Sequence, residues 1–600
     1  MTVRLFVLGL LTGTFAVAGC NSGSAPTKSV VKARVAPEEE LADTVAETLQ
    51  RSNDQQACRR LVDQLNVALS RPGSKWTADA LTPEQRKTLA EQFGLTAAEV
   101  EEVARREFTP LDSYALEEAF LFRDLAKALD ASGLPPVERA KAALEWVVRN
   151  VRGIEIPGPA APPAFVVMRG AGTPLERTYV LLALLRQLDF DAALVGDASG
   201  NPGGIWGVVV RTDDGLHVLD PRLGLPLTAG AGKPATLSQL RRDPGILQSM
   251  PTSGALKYDV TPERVRDSAV FVSVPLTSLA PRMRLLQGVL PHGSALVSAD
   301  VDGLLERIRK SATSDGESPT VRFWASSAVD AEPRVLMTFL PAQDGGADRS
   351  EPGQGRRDAY FRDLVPWNAL PPFLLQLAGE PGARIQRTFA MRILTFRQPG
   401  QARDLLIRGQ FQEATEKIIE LQAELERVTI PDRELEENSR GWADLARGAY
   451  ADLLRAERAA KTDPAAAAEV AESRVRVENI WKQSAWPKLY MERLATPYLN
   501  EEATYLLALL KHEAAARSAG RTGAGPDGAG WNSARKWWTQ YLVQFPSAGA
   551  SGAARRNLAL ALTGEGDRAA AAAEFQAAAQ SPLLIPLERL ACLIRARQLQ

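Results

Sequence analysis

Apolar positions change their rhythm several times along this chain. From Leu5 to Val17 they are almost continuous behind a single charge at Arg4. A run this short does not span a bilayer, which takes about 20 apolar residues. Its charged flank and small-residue end read as a signal peptide over 1–19. Residues 20–40 follow as a tether, with Ser22-Gly23-Ser24-Ala25-Pro26-Thr27-Lys28 reading as flexible and polar. Over 41–110 the spacing of Leu61, Leu65 and Leu69, with Pro83 at a helix start, predicts a helical region.

The stretch 111–235 carries the sharpest local signals. Gly133-Leu134-Pro135-Pro136 opens a helix whose Val137, Ala140, Leu144, Val147, Val148 and Val151 share one face. Thr173-Pro174-Leu175-Glu176 opens another, with Thr173 as N-cap, Pro174 at the first helical position and Glu176 completing a capping box. Leu175, Tyr179, Leu182 and Leu185 form its expected buried face, and it should end before Asp189-Phe190-Asp191. Strands are then expected at Ala192 to Val195, Ile205 to Arg211 and Leu216 to Leu219, the last two joined at Asp213-Asp214-Gly215.

Beyond this the pattern changes again. Residues 256–375 read as an α+β region with strands at Ala269 to Val274, Val321 to Trp324 and Arg334 to Phe339, and a helix from Gly303 to Arg309. A Gly/Asp/Gln-rich insertion at 342–358 is expected to be disordered. From 376 to 600 the pattern is almost wholly helical, with a Gly-rich break at Ser518 to Gly530. The fold class expected is multidomain α+β, since 600 residues exceed one core.

Composition narrows the chemistry. The 71 basic and 72 acidic residues nearly cancel, so no net field favours nucleic acid. Cysteines stand only at Cys20, Cys58 and Cys592, too few for a disulfide framework, and Cys58 and Cys592 are expected to be buried singly. Histidines stand only at His217, His292 and His512. With no Cys/His cluster at ligand spacing and no nucleotide or hydrolase motif, no metal or cofactor is expected.

Three resemblances add to this reading. Val17-Ala18-Gly19-Cys20 resembles the lipobox of bacterial lipoproteins, which implies lipid, palmitate included, on Cys20 and attachment to a membrane. Asn21 in place of the retention aspartate then implies the outer membrane, with the folded part facing the periplasm in the cell envelope. Residues 133–227 resemble the transglutaminase-like core, a papain-related fold, through Trp146, Gly172-Thr173, the run Ala183-Leu184-Leu185-Arg186-Gln187-Leu188, Trp206 and Leu219-Asp220-Pro221. Leu405-Ile407-Gly409-Phe411-Ala414, and Leu558-Leu560-Leu562 with Gly566 and Ala570 to Phe575, resemble tetratricopeptide units. Ala534, Trp538, Tyr541 and Phe545 line one helical face between them, and such arrays bind peptides or proteins.

The transglutaminase-like resemblance places the nucleophile at Pro174, the histidine at Gly204 and the acidic orienter at Asp220. Thiol chemistry needs a thiolate, a base and an orienting carboxylate, and only the last is retained. Thr173 is expected to be engaged as a cap, and His217 to project away from Asp220 by strand alternation. Cys58 lies far upstream beside Arg59-Arg60. The readings together imply an inactive transglutaminase-like domain in a membrane-anchored scaffold or assembly factor, with protein or peptide partners on the C-terminal helices. The competing reading is a thiol hydrolase or acyltransferase with a non-standard nucleophile.

Overall fold

A computed structural model describes residues 55–70, 78–324, 397–426 and 451–600, short interruptions within these stretches aside, and a few isolated positions between them. The signal peptide, Cys20, the tether, His292, the strand expected at 334–339 and the insertion at 342–358 lie outside the described residues. No helix among the described residues is long and apolar enough to cross a membrane.

The fold is mixed α+β around one six-stranded sheet. Its strands are β3 (Ala192–Asp197), β4 (Ile205–Thr212), β5 (Gly215–Asp220), β6 (Leu225–Pro226), β7 (Ser268–Val272) and β8 (Val321–Phe323), in the order β6-β5-β4-β3-β7-β8. All neighbours are antiparallel except β7 and β8. The β4–β5 hairpin pairs Thr212 with Gly215 across Asp213-Asp214, and Gly215 takes a φ of 125° that favours glycine. A small parallel pair, β1 (Arg152–Gly153) with β2 (Ala171–Gly172), leads into the central helix Pro174–Gln187.

Alternation along the strands builds two cores. Trp206, Val209, Leu216, Val218 and Val270 face one, shared with the helix Gln55–Leu69 and with Val301–Thr313. Leu194, Val208, Val210, Leu219 and Phe271 face the other, against Leu182 and Leu185 of the central helix. A sheet buried on both faces explains why its strands read as apolar runs.

Two features differ from what local pattern implies. β7 and β8 come from the stretch read as a separate α+β region, yet β7 pairs with β3 and both complete the sheet. Pairing across so long a connection leaves no mark on local periodicity. The central helix was expected to bury one face. Instead every residue from Glu176 to Leu185 is buried, and Leu175 is only half-buried. Its start does follow the sequence: Thr173 accepts from the Glu176 N–H, and the Glu176 carboxylate accepts from the Thr173 N–H at 2.7 Å.

The C-terminal part is helical. Arg397–Ile407 turns at Gly409, with φ of 74°, into Phe411–Glu426, and Ser551–Glu565 turns at Gly566, with φ of 85°, into Arg568–Gln580. Between and after them come Trp486–Thr522, Ala529–Gln544 and Pro586–Leu599. Tyr505 meets Trp538 and Tyr541 edge to face at 5.1 and 5.4 Å, and Ala534, Trp538 and Tyr541 are fully buried. The break expected from Ser518 is narrower, because the long helix runs through to Thr522. A lone helical glycine such as Gly520 costs only about 1 kcal/mol.

Candidate functional site

Of the three positions expected for a transglutaminase-like triad, Pro174 opens the central helix and Asp220 closes β5, whereas Gly204 lies in a turn before β4 and not on a strand. Pro174 is the first residue of the central helix, half-buried, where its missing N–H has no helical partner to lose. Gly172 before it is held close, since a Cβ there would meet Val166 Cγ1 at 2.8 Å. Gly204 ends a 3₁₀ turn, Pro202–Gly204, at the entrance to β4. Asp220 ends β5 and is fully buried.

What surrounds Gly204 and Asp220 is a continuous ionic chain. The Asp220 carboxylate accepts from the Arg222 N–H at 2.8 Å, Arg222 Nη2 at 2.9 Å and the Tyr258 hydroxyl at 2.8 Å. Arg222 also donates to Asp259, at 2.8 and 3.0 Å, and to the Trp206 carbonyl at 2.9 Å. Arg264 continues the chain, donating to Asp259 at 3.1 Å, to Asp197 at 2.7 Å and to the Gly204 carbonyl at 3.1 Å. A Cβ on Gly204 would stand 2.9 Å from Asp197 Oδ2, so a side chain there must displace this chain. Burial works to raise the Asp259 carboxyl, but Arg222 and Arg264 outweigh it and hold it below its ordinary value. Burial also pushes the Tyr258 hydroxyl well up, reinforced by the Asp220 charge. Tyr258 is thus fixed as a neutral donor. Arg222 stands two residues after Asp220 and Arg264 far beyond, and sequence reasoning assigned neither.

The other side of the site is closed by the last helix. Arg177, one turn into the central helix and wholly buried, donates to Glu588 at 3.0 Å. Arg556 donates to the same Glu588 oxygen and, at 2.7 Å, to the Val148 carbonyl. A Cβ on Gly153 would collide with Ile585 and Glu588, so the helical part is seated directly on the β1 strand. Nearby, Arg149 and Asn150 both donate to Glu513 of the long helix, at 2.9 and 2.8 Å. The two parts are keyed by buried charge.

The remaining candidates are bonded or buried. Thr173 Oγ1 is occupied by the helix N–H at 3.3 Å. His217 has Nδ1 on the Pro234 carbonyl at 2.7 Å and Nε2 on Asp214 at 2.9 Å, so both ring nitrogens face acceptors. Lys233, Thr212 and His217 in turn hold Asp214 well below the usual carboxylate range. Cys58 and Cys592 are both buried, unbridged and in different clusters. Burial pushes the Cys592 thiol up to about 12, the opposite of what a nucleophilic thiol needs. Among the described residues no group of three or more His, Cys, Asp or Glu is placed to hold a metal ion. Compared with known proteins, the chain matches no family model, no curated protein and no solved structure.

Proposed function

We propose that this chain is a lipid-anchored envelope protein whose α/β core is a catalytically silent relative of the transglutaminase-like fold, serving with its helical C-terminal part as a binding scaffold. The observation that carries the silent reading is the occupancy of the triad positions. A proline starts the helix where a thiolate would stand, and the space at Gly204 is filled by Asp197. Asp220 is committed to Arg222 and Tyr258, with no imidazole to orient.

The scaffold reading draws on the helical part. Of seven large hydrophobics that are exposed among the described residues, five lie in it: Ile419, Leu445, Val475, Val543 and Leu583. The tetratricopeptide-like pairs around Gly409 and Gly566 supply the turn geometry such arrays use. The outer membrane, with the folded part in the periplasm, is the location that Cys20 and Asn21 support.

Two measurements test the proposal separately. A clickable palmitate analogue should label the wild-type protein in cells and leave Cys20→Ser unlabelled; equal labelling would remove the anchor. Purified mature protein should incorporate no amine into glutamine substrates and react with thiol-directed activity probes no faster than a denatured control. Turnover abolished by changing Thr173, His217 or Cys58 would instead establish the non-standard enzyme.

A further inference from the structure

Between the core and the helical part lies a cavity of about 250 Å³. Val148 and Arg149 of the helix Pro136–Asn150 wall it on one side, together with Leu223 and Gly224 after β5. His512, Trp531, Phe575 and Arg595 wall it on the other, each from a different helix. Protein interiors pack like organic crystals and leave few voids larger than water. Roughly 150 Å³ of apolar cavity is enough for benzene. The space here takes a ring with a polar group attached.

Its polar lining is unbalanced towards donors. Arg595 lies over the Phe575 ring, 6.0 Å from the centroid, and has no hydrogen bond or ion pair with a described residue. Burial works against its charge, and Glu145 offers the largest compensation. Arg556 spends both Nη atoms on Glu588 and Val148, and its buried Nε has no partner. His512 Nδ1 accepts from Trp538 Nε1 at 3.1 Å, which leaves the ring proton on Nε2. Burial holds this imidazole well below its ordinary pKa, so it is a neutral donor. Two carboxylates also line the cavity, Glu588, which receives Arg177 and Arg556 on one oxygen, and Glu145, 4.0 Å from Arg149 Nη1, so that three arginines, Arg149, Arg556 and Arg595, face two carboxylates.

The apolar lining is also shaped. Trp531 stands edge to face with His512 at 5.3 Å. It rests on Gly564, where a Cβ would come within 2.5 Å of the indole ring. Only glycine leaves the ring in this place.

We infer that this cavity is a binding site for a small organic carboxylate with an apolar, ring-sized body, its carboxylate on Arg595 and its ring between Trp531 and Phe575. A planar guanidinium recognises a carboxylate by paired charge-assisted bonds, and a neutral amide cannot replace it. The site is independent of whether the triad positions are silent.

Titration calorimetry of the full mature protein tests it with phenylacetate, indole-3-acetate and octanoate, against phenylacetamide and 2-phenylethylamine. At least one carboxylate should bind at least about tenfold more tightly than phenylacetamide, and the amine should not bind. Arg595→Gln should abolish that preference with the melting temperature unchanged. No binding by any of the three carboxylates overturns the inference, as does equal binding of acid and amide by the wild type. Retained preference in Arg595→Gln overturns it too. The wild-type comparison stands by itself should the variant not fold.

Discussion

Replacing Glu588 by glutamine should destabilise the protein by ~3–5 kcal/mol, because breaking a buried ion pair strands the partner charges. Here the stranded charges are two. Arg177 is wholly buried and Arg556 nearly so, and both donate to this one carboxylate. Glutamine keeps the shape and an acceptor oxygen, so the loss reads the charge and not a cavity. Denaturant melts of both proteins give the number, and a difference below about 1 kcal/mol would refute the electrostatic key. Replacing Arg177, Arg556 and Glu588 together by apolar residues of similar volume should cost far less than Glu588→Gln alone, since buried ionic clusters are often near neutral against packed hydrophobics.

The pH dependence follows from the same group. Burial alone would raise the Glu588 carboxyl, but Arg556 and Arg177 outweigh it and hold it below its ordinary value. A carboxyl depressed in the folded state contributes stability above its unfolded pKa and loses it as pH falls through the folded one. Wild type should therefore lose stability on acidification through and below the ordinary carboxylate range. Glu588→Gln should lose less over the same interval, because the titrating group is gone.

Why this key was not legible in the sequence is a matter of distance along the chain. Thr173 and Glu176 are three apart, so their capping box reads directly, as does the Asp213-Asp214-Gly215 turn between two alternating runs. Leu182 and Leu185 fall on the face that meets the sheet, as their spacing implies. Arg177 is different. By helical spacing it lies off the apolar face and reads as solvated, yet it is wholly buried because Glu588, some 411 residues later, supplies its counter-charge. Long-range partners of this kind turn a polar face inward without any local signal. Arg222 was closer to hand, two residues past Asp220, but its role depends on Tyr258 and Asp259 returning to the end of β5. Pairing of β7 with β3 is hidden for the same reason.

Arg282→Met should cost a similar ~3–5 kcal/mol, through a second buried charge that holds the N-terminal helices to the core. Arg282 opens the helix Pro281–Val289 and is wholly buried. Its Nε and Nη2 engage both oxygens of Asp112 at 2.7 and 3.1 Å, and Nη1 takes the Glu102 and Arg105 carbonyls at 2.8 and 3.0 Å. Those carbonyls belong to the end of the helix Ala97–Ala104, where backbone acceptors lack helical partners and favour a cation. Methionine fills the space of the stem but leaves Asp112 fully buried, with the Thr109 N–H as its remaining donor. Burial already raises the Asp112 carboxyl against the pull of Arg282, so removing the arginine raises it further. A carboxyl raised in the folded state is relieved by protonation, so the deficit of the variant should shrink as the pH is lowered from neutrality. Adding Asp112→Asn to Arg282→Met should recover part of the loss at neutral pH, whereas Asp112→Asn alone should destabilise the wild type. Additive effects in that double-mutant cycle, or a deficit that grows on acidification, would show that Arg282 acts through its carbonyl contacts alone.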